Sequence, residues 1–525
     1  MTAKRVVLTG ADLSVDDVEA VARHGAEVVL DAAASTRMER SRAVVDALVD
    51  EGAVVYGLTT GFGALADRSI GRADVERLQE NLLVSHAAGV GEPLPQEIVR
   101  AMLLLRANTL ALGFSGARPL VAERLLDFLR LGIHPVVPSQ GSVGASGDLA
   151  PLAHLALPLI GRGRVEMGGK VLAAQDALGE AGLEPLVLGA KEGLAILNGT
   201  QLMSALGALV AVDAARLAAT ASVAAAMSVE ALVGTDVAFS AALQAARPHP
   251  GQIAVAGELR WLLRDSALQR SHHASAHKVQ DPYSLRCVPQ VHGAVRDALG
   301  YLGGVLAIEM NAATDNPLIF PDGGAADAAA RATGGGRVIS GGNFHGEPIA
   351  LALDFAKIAI AELGSISERR TALLLDENLN GGLPAFLGSA SGLETGYMIL
   401  QYTAAALASE NKGLAHPAAV DSIPTSANQE DHVSMGPIAG RQARSIVESV
   451  EQILAIELLC AARALDLRLV LLPGTAAGAG VAAAHAAIRE VVPPWDGDRE
   501  PRPDIEAMTT LVKGGTLAAL ATPRA

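Results

Sequence analysis

The chain has 525 residues, of which half are hydrophobic but only 3% are aromatic, so Ala, Leu and Val must build most of the core. Such a composition favours close-packed helices over a sandwich or barrel, whose strands are enriched in aromatic and β-branched residues. The net charge of −15 and the lack of a basic run with interleaved aromatics argue against a nucleic-acid partner. Two cysteines, Cys287 and Cys460, are too few for a disulfide framework and favour a reducing, cytoplasmic compartment.

The first 115 residues predict a mixed region with short strands and amphipathic helices. Short apolar runs at 6–8 and 28–30 predict strands, and apolar periodicity predicts helices over 16–22, 32–50, 72–85 and 95–112. The apolar run at the N-terminus is too short for a signal peptide. A glycine-rich loop begins at Tyr56, so we expect this region to carry loops of a functional site.

Three segments without strong helix breakers, 201–232, 347–377 and 441–467, predict unusually long helices. At about thirty residues each they would span ~45 Å and form a bundle whose apolar seam is shared between subunits. Charged residues at Asp213, Arg216 and Glu230 interrupt the first segment, which predicts a buried helix and no membrane span. The predicted fold is therefore mainly α: a long-helix bundle with a smaller mixed N-terminal region that carries the active-site loops.

The bundle is assigned to residues 116–490, and residues 491–525 to a linker and a final helix. Two segments depart from the helical pattern. Residues 164–172 predict a short strand pair with its turn at Gly168 and Gly169. Residues 321–337 are rich in Gly, Ala and Asp without apolar periodicity, which predicts a mobile surface insertion with no chemistry.

A glycine-rich stretch at 141–151 contains a triplet that could react with itself, Ala145-Ser146-Gly147. If a tight turn brings the Gly147 nitrogen onto the Ala145 carbonyl carbon, a five-membered ring can close. Loss of water and of the Ser146 hydroxyl would leave a methylene conjugated to a carbonyl, an electrophile that no ordinary side chain supplies. The triplet alone is a weak signal and favours an ordinary glycine turn that leads into a helix. A phosphate cradle is disfavoured, because the Gly-Lys-Ser/Thr ending is missing and Asp148 would repel phosphate.

Other polar motifs lie in the glycine-broken joints between the helices, where sites on rigid scaffolds tend to lie. Arg286, within 280–287, offers a two-pronged donor to a carboxylate. His273 and His277 have the i,i+4 spacing of metal ligands, but no third-ligand pattern follows them. Four further residues could serve in a functional site but also have a purely structural interpretation: Tyr56 as a packed tyrosine, His86 as a histidine near a helix end, Asn198 as a helix terminator and Phe344 as a core phenylalanine.

The string Gly-Ser-Val-Gly-Ala-Ser-Gly-Asp-Leu-Ala-Pro-Leu-Ala-His at 141–154 resembles the signature of the aromatic amino-acid ammonia-lyases, and the similarity extends over about 50–470. In that family the triplet matures into 4-methylidene-imidazol-5-one (MIO). The resemblance implies that Ala145, Ser146 and Gly147 form this group without another protein and that no metal is required. It also implies a homotetramer whose active sites draw on more than one chain, with no nucleic-acid or membrane partner.

The resemblance also implies roles for individual residues. Tyr56 would lie in a loop that closes over the substrate and take part in proton transfer; Thr59 of that loop stands where many relatives have Asn. His86 would contact the substrate side chain, and Asn198 would face MIO and the amine. Phe344 would pack near the substrate.

On the carboxylate side of the substrate, the resemblance implies that Arg286 binds the α-carboxylate, with Gln280 and Tyr283 beside MIO. Glu430 belongs to a string at 421–436 that resembles the histidine branch, since phenylalanine and tyrosine lyases generally carry Gln there. A carboxylate can accept a hydrogen bond from an imidazole N–H, whereas a benzene ring offers none. Tyr56 and Glu430 both remain candidates for the base that removes the β-proton.

The implied reaction is the conversion of L-histidine to trans-urocanate and ammonia. One alternative is a lyase or aminomutase that uses the same cofactor on tyrosine or phenylalanine, and the histidine-type residues His86 and Glu430 argue against it. The other is a catalytically inactive helical scaffold. The intact triplet and the full set of polar motifs argue against that reading.

Overall fold

A computed structural model describes residues 4–53, 55, 60, 70–71, 74–272, 279–322, 331–333, 336–389 and 392–522. The α-helices of these residues are α1 (Val15–His24), α2 (Ala32–Asp50), α3 (Val75–His86), α4 (Gln96–Ala111), α5 (Pro119–Leu131), α6 (Leu149–Ala156), α7 (Ala174–Glu180), α8 (Glu192–Leu197), α9 (Gln201–Ala231), α10 (Ala241–Ala245), α11 (Pro250–Leu262), α12 (Ala267–His272), α13 (Tyr283–Arg286), α14 (Val288–Glu309), α15 (Glu347–Leu375), α16 (Met398–Leu414), α17 (Gly436–Leu471), α18 (Ala479–Val491) and α19 (Arg502–Lys513). The predicted mainly α fold is confirmed.

The strands are few and short: β1 (Arg5–Leu8), β2 (Glu27–Leu30), β3 (Val90–Pro93), β4 (His134–Pro135), β5 (Pro138–Gln140), β6 (Arg164–Met167), β7 (Lys170–Ala173), β8 (Leu318–Phe320), β9 (Arg331–Thr333) and β10 (Gly336–Ile339). The two N-terminal apolar runs form β1 and β2, which pair in parallel, and β6 and β7 form the predicted strand pair at 164–172, which is antiparallel. The other pairings are antiparallel: β3 with β5, β4 with β6, and β10 with both β8 and β9.

The segment 321–337, which was predicted to be a mobile surface insertion, contains regular structure in its described part. Strand β9 and the start of β10 lie in this segment and form a three-stranded sheet with β8. Gly336 packs so closely that an added Cβ would lie 2.7 Å from Val44. Strands of three or four residues are too short to show a two-residue periodicity, so their pairing was not visible in the sequence. Residues 323–330 lie outside the described residues.

Local signals explain why the early helices begin and end where they do. Ser14 and Asp17 form a capping box at the start of α1, and Gly25 ends that helix in the left-handed conformation at φ 65°. The Asp31 carboxylate accepts hydrogen bonds from the first-turn amides of α2. Both predicted helices are therefore confirmed, the second with its exact bounds.

The chain divides into two compact units. The first comprises Met1–Leu209, Leu302–Leu353 and Pro417–Arg441, and the second comprises Val210–Tyr301, Asp354–His416 and Gln442–Ala525. Four long helices, α9, α14, α15 and α17, contribute residues to both units. Three of them confirm the predicted long helices, whereas α14 was not predicted because its four glycines weaken the helical signal.

Helix α9 is long and apolar enough to cross a membrane by length and composition, and 67% of its most apolar stretch is buried. Burial of this kind is what the core helix of a folded domain shows, as predicted. Within the second unit the buried Glu230 carboxylate accepts two 3.0 Å hydrogen bonds from the Gly478 amide. Burial raises the pKa of Glu230 to about 7.

Candidate active site

The reactive triplet lies in a sharply bent turn in the first unit, between β5 and α6. Gly144 and Gly147 have φ values of 72° and 77°, which suit glycine far better than other residues. A Cβ on Gly147 would lie 2.2 Å from the carbonyl oxygen of Gly199, so a side chain does not fit there. The Asp148 amide donates a 2.7 Å hydrogen bond to the same oxygen. The 198–199 segment therefore presses directly against the end of the triplet.

Three hydrogen bonds fix the rest of the turn. The Ser142 hydroxyl donates to the Gly147 carbonyl at 3.3 Å and accepts from the Gly144 amide at 3.1 Å. The Met435 amide donates to the Val143 carbonyl at 2.9 Å, which joins the turn to the segment that leads into α17. Ser146, the middle residue of the triplet, is half-buried.

Asp148 is a buried carboxylate beside the triplet that the sequence analysis did not place in the site. Its side chain is fully buried, and one carboxylate oxygen accepts hydrogen bonds from the backbone amides of Leu202 at 2.8 Å and Met203 at 3.1 Å. These amides belong to the first turn of α9, where helical donors lack partners. Burial raises the pKa of Asp148 to about 7, against the lowering effect of the two amides. Its position directly after the triplet was the signal available in the sequence.

Arg106 supports the other side of the turn and was also missed. Its guanidinium is fully buried and donates to the Asn198 carbonyl at 2.8 Å and to the Gln201 side-chain oxygen at 2.9 Å. Burial lowers the pKa of Arg106 to about 10, while the charge of Asp315 opposes that shift. Asp315 itself pairs with Lys191 at 2.8 Å, both side chains being fully buried. This network holds Asn198 and Gly199 in place against the triplet.

A cavity of about 550 Å³ opens beside the triplet within the first unit. Five of the residues that line it were predicted from the sequence to act on the substrate or to form the cofactor. Its lining comprises Ala145, Ser146, Asn198, Asn316, Ser340, Gly341, Phe344, His345, Gln429, Glu430, Asp431 and His432. Ser146, Asn198, Phe344 and Glu430 are therefore brought together although they are far apart in sequence.

Glu430 is held in this cavity by its own loop. One carboxylate oxygen accepts a 2.8 Å hydrogen bond from the Thr425 hydroxyl, and the backbones of Thr425 and Glu430 form an isolated β-bridge. The other oxygen lies 3.5 Å from the Ser146 hydroxyl, at the outer limit of a hydrogen bond. Three residues of the turn between Thr425 and Glu430 have positive φ angles of 50–67°: Ser426, Ala427 and Asn428. Non-glycine residues rarely adopt this conformation, so the turn stores strain of a kind found at functional sites.

The remaining predicted residues fall elsewhere. Tyr56 lies outside the described residues, as do His273 and His277. His86 ends α3 half-buried, with Nδ1 donating to the Leu82 carbonyl at 2.8 Å, and it does not line the cavity. The pairing of His86 with Glu430 around a substrate ring therefore stays a prediction.

Gln280, Tyr283 and Arg286 belong to the second unit. Gln280 and Tyr283 are exposed, and the Arg286 guanidinium lies 4.7 Å from the centre of the Tyr283 ring, in cation–π range. A separate cavity of about 770 Å³ in this unit is lined by Tyr283, Arg369, Asp376 and Phe386 among others. The roles of these three residues toward a substrate likewise stay predictions.

Comparisons with known proteins agree with the class that the fold and the triplet indicate. The family model described as aromatic amino acid lyase matches residues 13–490, and the chain belongs to this family, whose members are carbon–nitrogen lyases. The histidine ammonia-lyase of Gloeobacter violaceus is 55% identical over 512 residues, which cover 98% of this chain and 96% of that protein.

Two solved structures show how far the fold is shared. The histidine ammonia-lyase of Trypanosoma cruzi has a TM-score of 0.88 at 43% identity, covering 98% of this chain and 95% of that one. The tyrosine aminomutase of Streptomyces globisporus has a TM-score of 0.90 at 37% identity, covering 98% of both chains. Because enzymes with different substrates and outcomes share this fold, the fold alone does not choose the reaction.

Proposed function

We propose that this chain is a histidine ammonia-lyase, which converts L-histidine to trans-urocanate and ammonia. The observation that carries the proposal is the carboxylate of Glu430, 3.5 Å from the Ser146 hydroxyl in the cavity beside the triplet. A carboxylate at this position in the cavity suits a substrate whose side chain carries an N–H group. The full-length similarity to proteins named histidine ammonia-lyase, at 54–55% identity, supports the same substrate.

The proposed cofactor is MIO, formed from Ala145, Ser146 and Gly147. The residues fit this group: the turn is tight, Gly147 sits where no Cβ could be accommodated, and the Ser146 side chain faces the cavity. Once formed, MIO supplies an electrophile for the substrate amine, which turns a poor leaving group into a better one. The reaction needs no metal in this proposal.

The protein's part is to hold the substrate and to move one proton. Arg286 binds the α-carboxylate through two parallel hydrogen bonds, with Gln280 and Tyr283 nearby. Asn198, whose backbone is fixed by Arg106, positions the amine. The β-proton is removed by Tyr56 or by Glu430.

Substrate choice rests on the groups around the ring, because histidine, tyrosine and phenylalanine share the α-amino and α-carboxylate groups. The imidazole N–H donates to Glu430, and His86 is the second residue that recognises the ring. Phenylalanine would offer no donor to the Glu430 oxygen that faces the cavity, and a site built to hydrogen-bond its substrate discriminates strongly against an analogue that lacks the donor. The tyrosine aminomutase likeness keeps an aromatic substrate as the second candidate.

The assembly belongs to the same proposal. We expect a cytoplasmic homotetramer in which the residues near Tyr56, Arg286 and Glu430 come from different chains, and which engages neither nucleic acid nor membrane. Two inactive variants, Tyr56→Phe and Arg286→Ala, should then regain part of the activity when their chains are mixed and reassembled. Complete absence of complementation, or a fully active monomer in sedimentation, would contradict shared sites.

The activity itself is tested by adding L-histidine to the purified protein and following urocanate absorbance and released ammonia together. The intact mass of the same sample should be ~36 Da below that of the encoded chain, because two waters leave on MIO formation. Urocanate and ammonia in equal amounts support the proposal. Fully active protein with the unmodified mass would show that the electrophile is not MIO.

A further inference from the structure

The residue that follows Gly199 is held by a contact that the proposed deamination does not use. The Thr200 hydroxyl donates a 2.6 Å hydrogen bond to a carboxylate oxygen of Glu309, the last residue of α14 and a member of the first unit. Thr200 is fully buried, and this length is typical of a hydroxyl that donates to a carboxylate. The contact therefore joins the end of a long helix to the segment that presses against the triplet.

Thr200 directly precedes α9, the position at which a threonine usually caps a helix with its side chain. Its carbonyl accepts the first helical hydrogen bond, from the Ser204 amide at 2.9 Å. A capping side chain would also accept from the amides of the first turn, but here the Asp148 carboxylate accepts from two of them. The Thr200 hydroxyl donates to Glu309 instead, so helix capping does not account for this contact.

The same contact fixes the carbonyl group that touches the triplet. The Gly199 carbonyl accepts from the Asp148 amide at 2.7 Å, and Gly199 pairs with Gly147 in an isolated parallel bridge. Thr200 is bonded to that carbonyl carbon through its own nitrogen. The position of the Gly199 oxygen therefore depends on the position of Thr200, which Glu309 holds.

Two further observations place Glu309 among the groups that surround the triplet. Burial raises the pKa of Asp148, the residue directly after the triplet, and the charge of Glu309 adds to that effect. On the other side of Gly199, the Arg106 guanidinium donates to the Asn198 carbonyl at 2.8 Å. Both chain neighbours of Gly199 are therefore anchored, one by Arg106 and the other by Glu309.

We propose that Glu309 is a positioning residue for the maturation of the triplet. By accepting the Thr200 hydroxyl, it holds the Gly199 carbonyl against Gly147 and keeps the turn in its sharply bent form. Two groups that are held close together react much faster than groups that must find each other by chain motion. The inference rests on the proposed MIO cofactor and adds a residue that assists its formation.

The chemistry that this position assists is a ring closure with loss of two waters. The Gly147 nitrogen forms a bond to the Ala145 carbonyl carbon. The first water takes the Ala145 oxygen together with the hydrogens of the Ser146 and Gly147 nitrogens. The second takes the Ser146 hydroxyl together with the α-hydrogen of the same residue, so no oxidant or reductant is needed.

The test follows the intact mass of the newly made, full-length chain over time. Expression is pulsed, protein synthesis is stopped, and the soluble protein is sampled at intervals. Thr200→Val and Glu309→Ala each remove the hydrogen bond, and the loss of ~36 Da should become at least ~10-fold slower than in the wild type. Thr200→Ser and Glu309→Gln keep a donor and an acceptor, and both should mature at close to the wild-type rate.

Ser367→Ala is the matched control, because it removes a 2.6 Å hydrogen bond from a buried hydroxyl to Glu457 in the second unit. This variant should have a lower unfolding midpoint, as Thr200→Val should, because each loses a buried hydrogen bond. Its chain should nevertheless mature at the wild-type rate. The comparison separates an effect on the triplet from a general loss of stability.

Maturation of Thr200→Val and Glu309→Ala at the wild-type rate would overturn the proposal. Equal slowing in Ser367→Ala would overturn it as well, because maturation would then depend on stability alone. In both cases the wild type still loses ~36 Da, so the proposed cofactor stands. A wild type that keeps the plain mass of its sequence would instead remove the MIO proposal, and this inference with it.

Discussion

Replacing Glu430 by Gln tests the residue on which substrate choice depends. The two side chains have the same shape, and a Gln oxygen can still accept the 2.8 Å hydrogen bond from the Thr425 hydroxyl. The loop should therefore keep its conformation, and the unfolding midpoint should change little. What is lost is the negative charge that accepts the imidazole N–H.

The magnitude follows from that loss. A hydrogen bond to a charged group contributes ~1.5–3 kcal/mol, and 1.4 kcal/mol is about tenfold, so kcat/KM for L-histidine should fall by roughly 10- to 150-fold. If Glu430 is also the base, kcat should fall further. Steady-state kinetics with urocanate absorbance measure the change, and Glu410→Gln, an exposed carboxylate on α16, is the control. Near wild-type kcat/KM in Glu430→Gln with an unchanged midpoint would refute the role given to Glu430.

Three further predictions concern the triplet and its support. Ser146→Ala should unfold at the wild-type temperature yet have the plain mass of its sequence and almost no activity, and an active Ser146→Ala enzyme would exclude MIO. Gly147→Ala should lower the unfolding midpoint and prevent the ~36 Da mass loss, because its Cβ would lie 2.2 Å from the Gly199 oxygen at a φ of 77°; a normal midpoint and a complete mass loss would show that the close approach is not needed. The folded-state pKa of Asp148 is raised from 3.8 to about 7, so ionisation of this group costs stability as pH rises from about 4 to 7. The unfolding midpoint of Asp148→Asn minus that of the wild type should therefore increase between pH 5 and pH 8. A difference that stays constant or decreases would contradict the raised pKa of Asp148. The pKa of Glu230 is raised as well, but Glu230 is present in both proteins, so its effect cancels in this difference.

A structural feature could be predicted from the sequence when the residues that determine it are close together in the chain. Helix α2 was predicted with its exact bounds, since Asp31 caps it from the adjacent position. Helix α17 begins at Gly436, five residues before the predicted start. The sequence pattern did not indicate that Pro437 occupies its first turn, although proline is well suited to that position.

In the candidate site, too, features formed by neighbouring residues could be predicted, whereas contacts between residues far apart in the chain could not. The triplet was recognisable because its three residues are consecutive, whereas the approach of Glu430 to Ser146 joins residues 284 positions apart. Residue types and spacing carry no information on such a contact, so only the resemblance had placed Glu430 near the substrate. Arg106 was missed for a related reason. It lies in a helix that is buried almost throughout, and nothing in an amphipathic pattern marks one arginine as the group that holds the Asn198 carbonyl.

The most direct test of the central claim is a competition experiment with equal concentrations of L-histidine, L-tyrosine and L-phenylalanine, with all products resolved by mass spectrometry. Histidine deamination by a site built around Glu430 predicts trans-urocanate as the dominant product, with little cinnamate or coumarate. The ratio of products gives the ratio of kcat/KM values directly. Dominant formation of a β-amino acid, or of coumarate or cinnamate, would contradict the account and favour the aminomutase or aromatic lyase alternative.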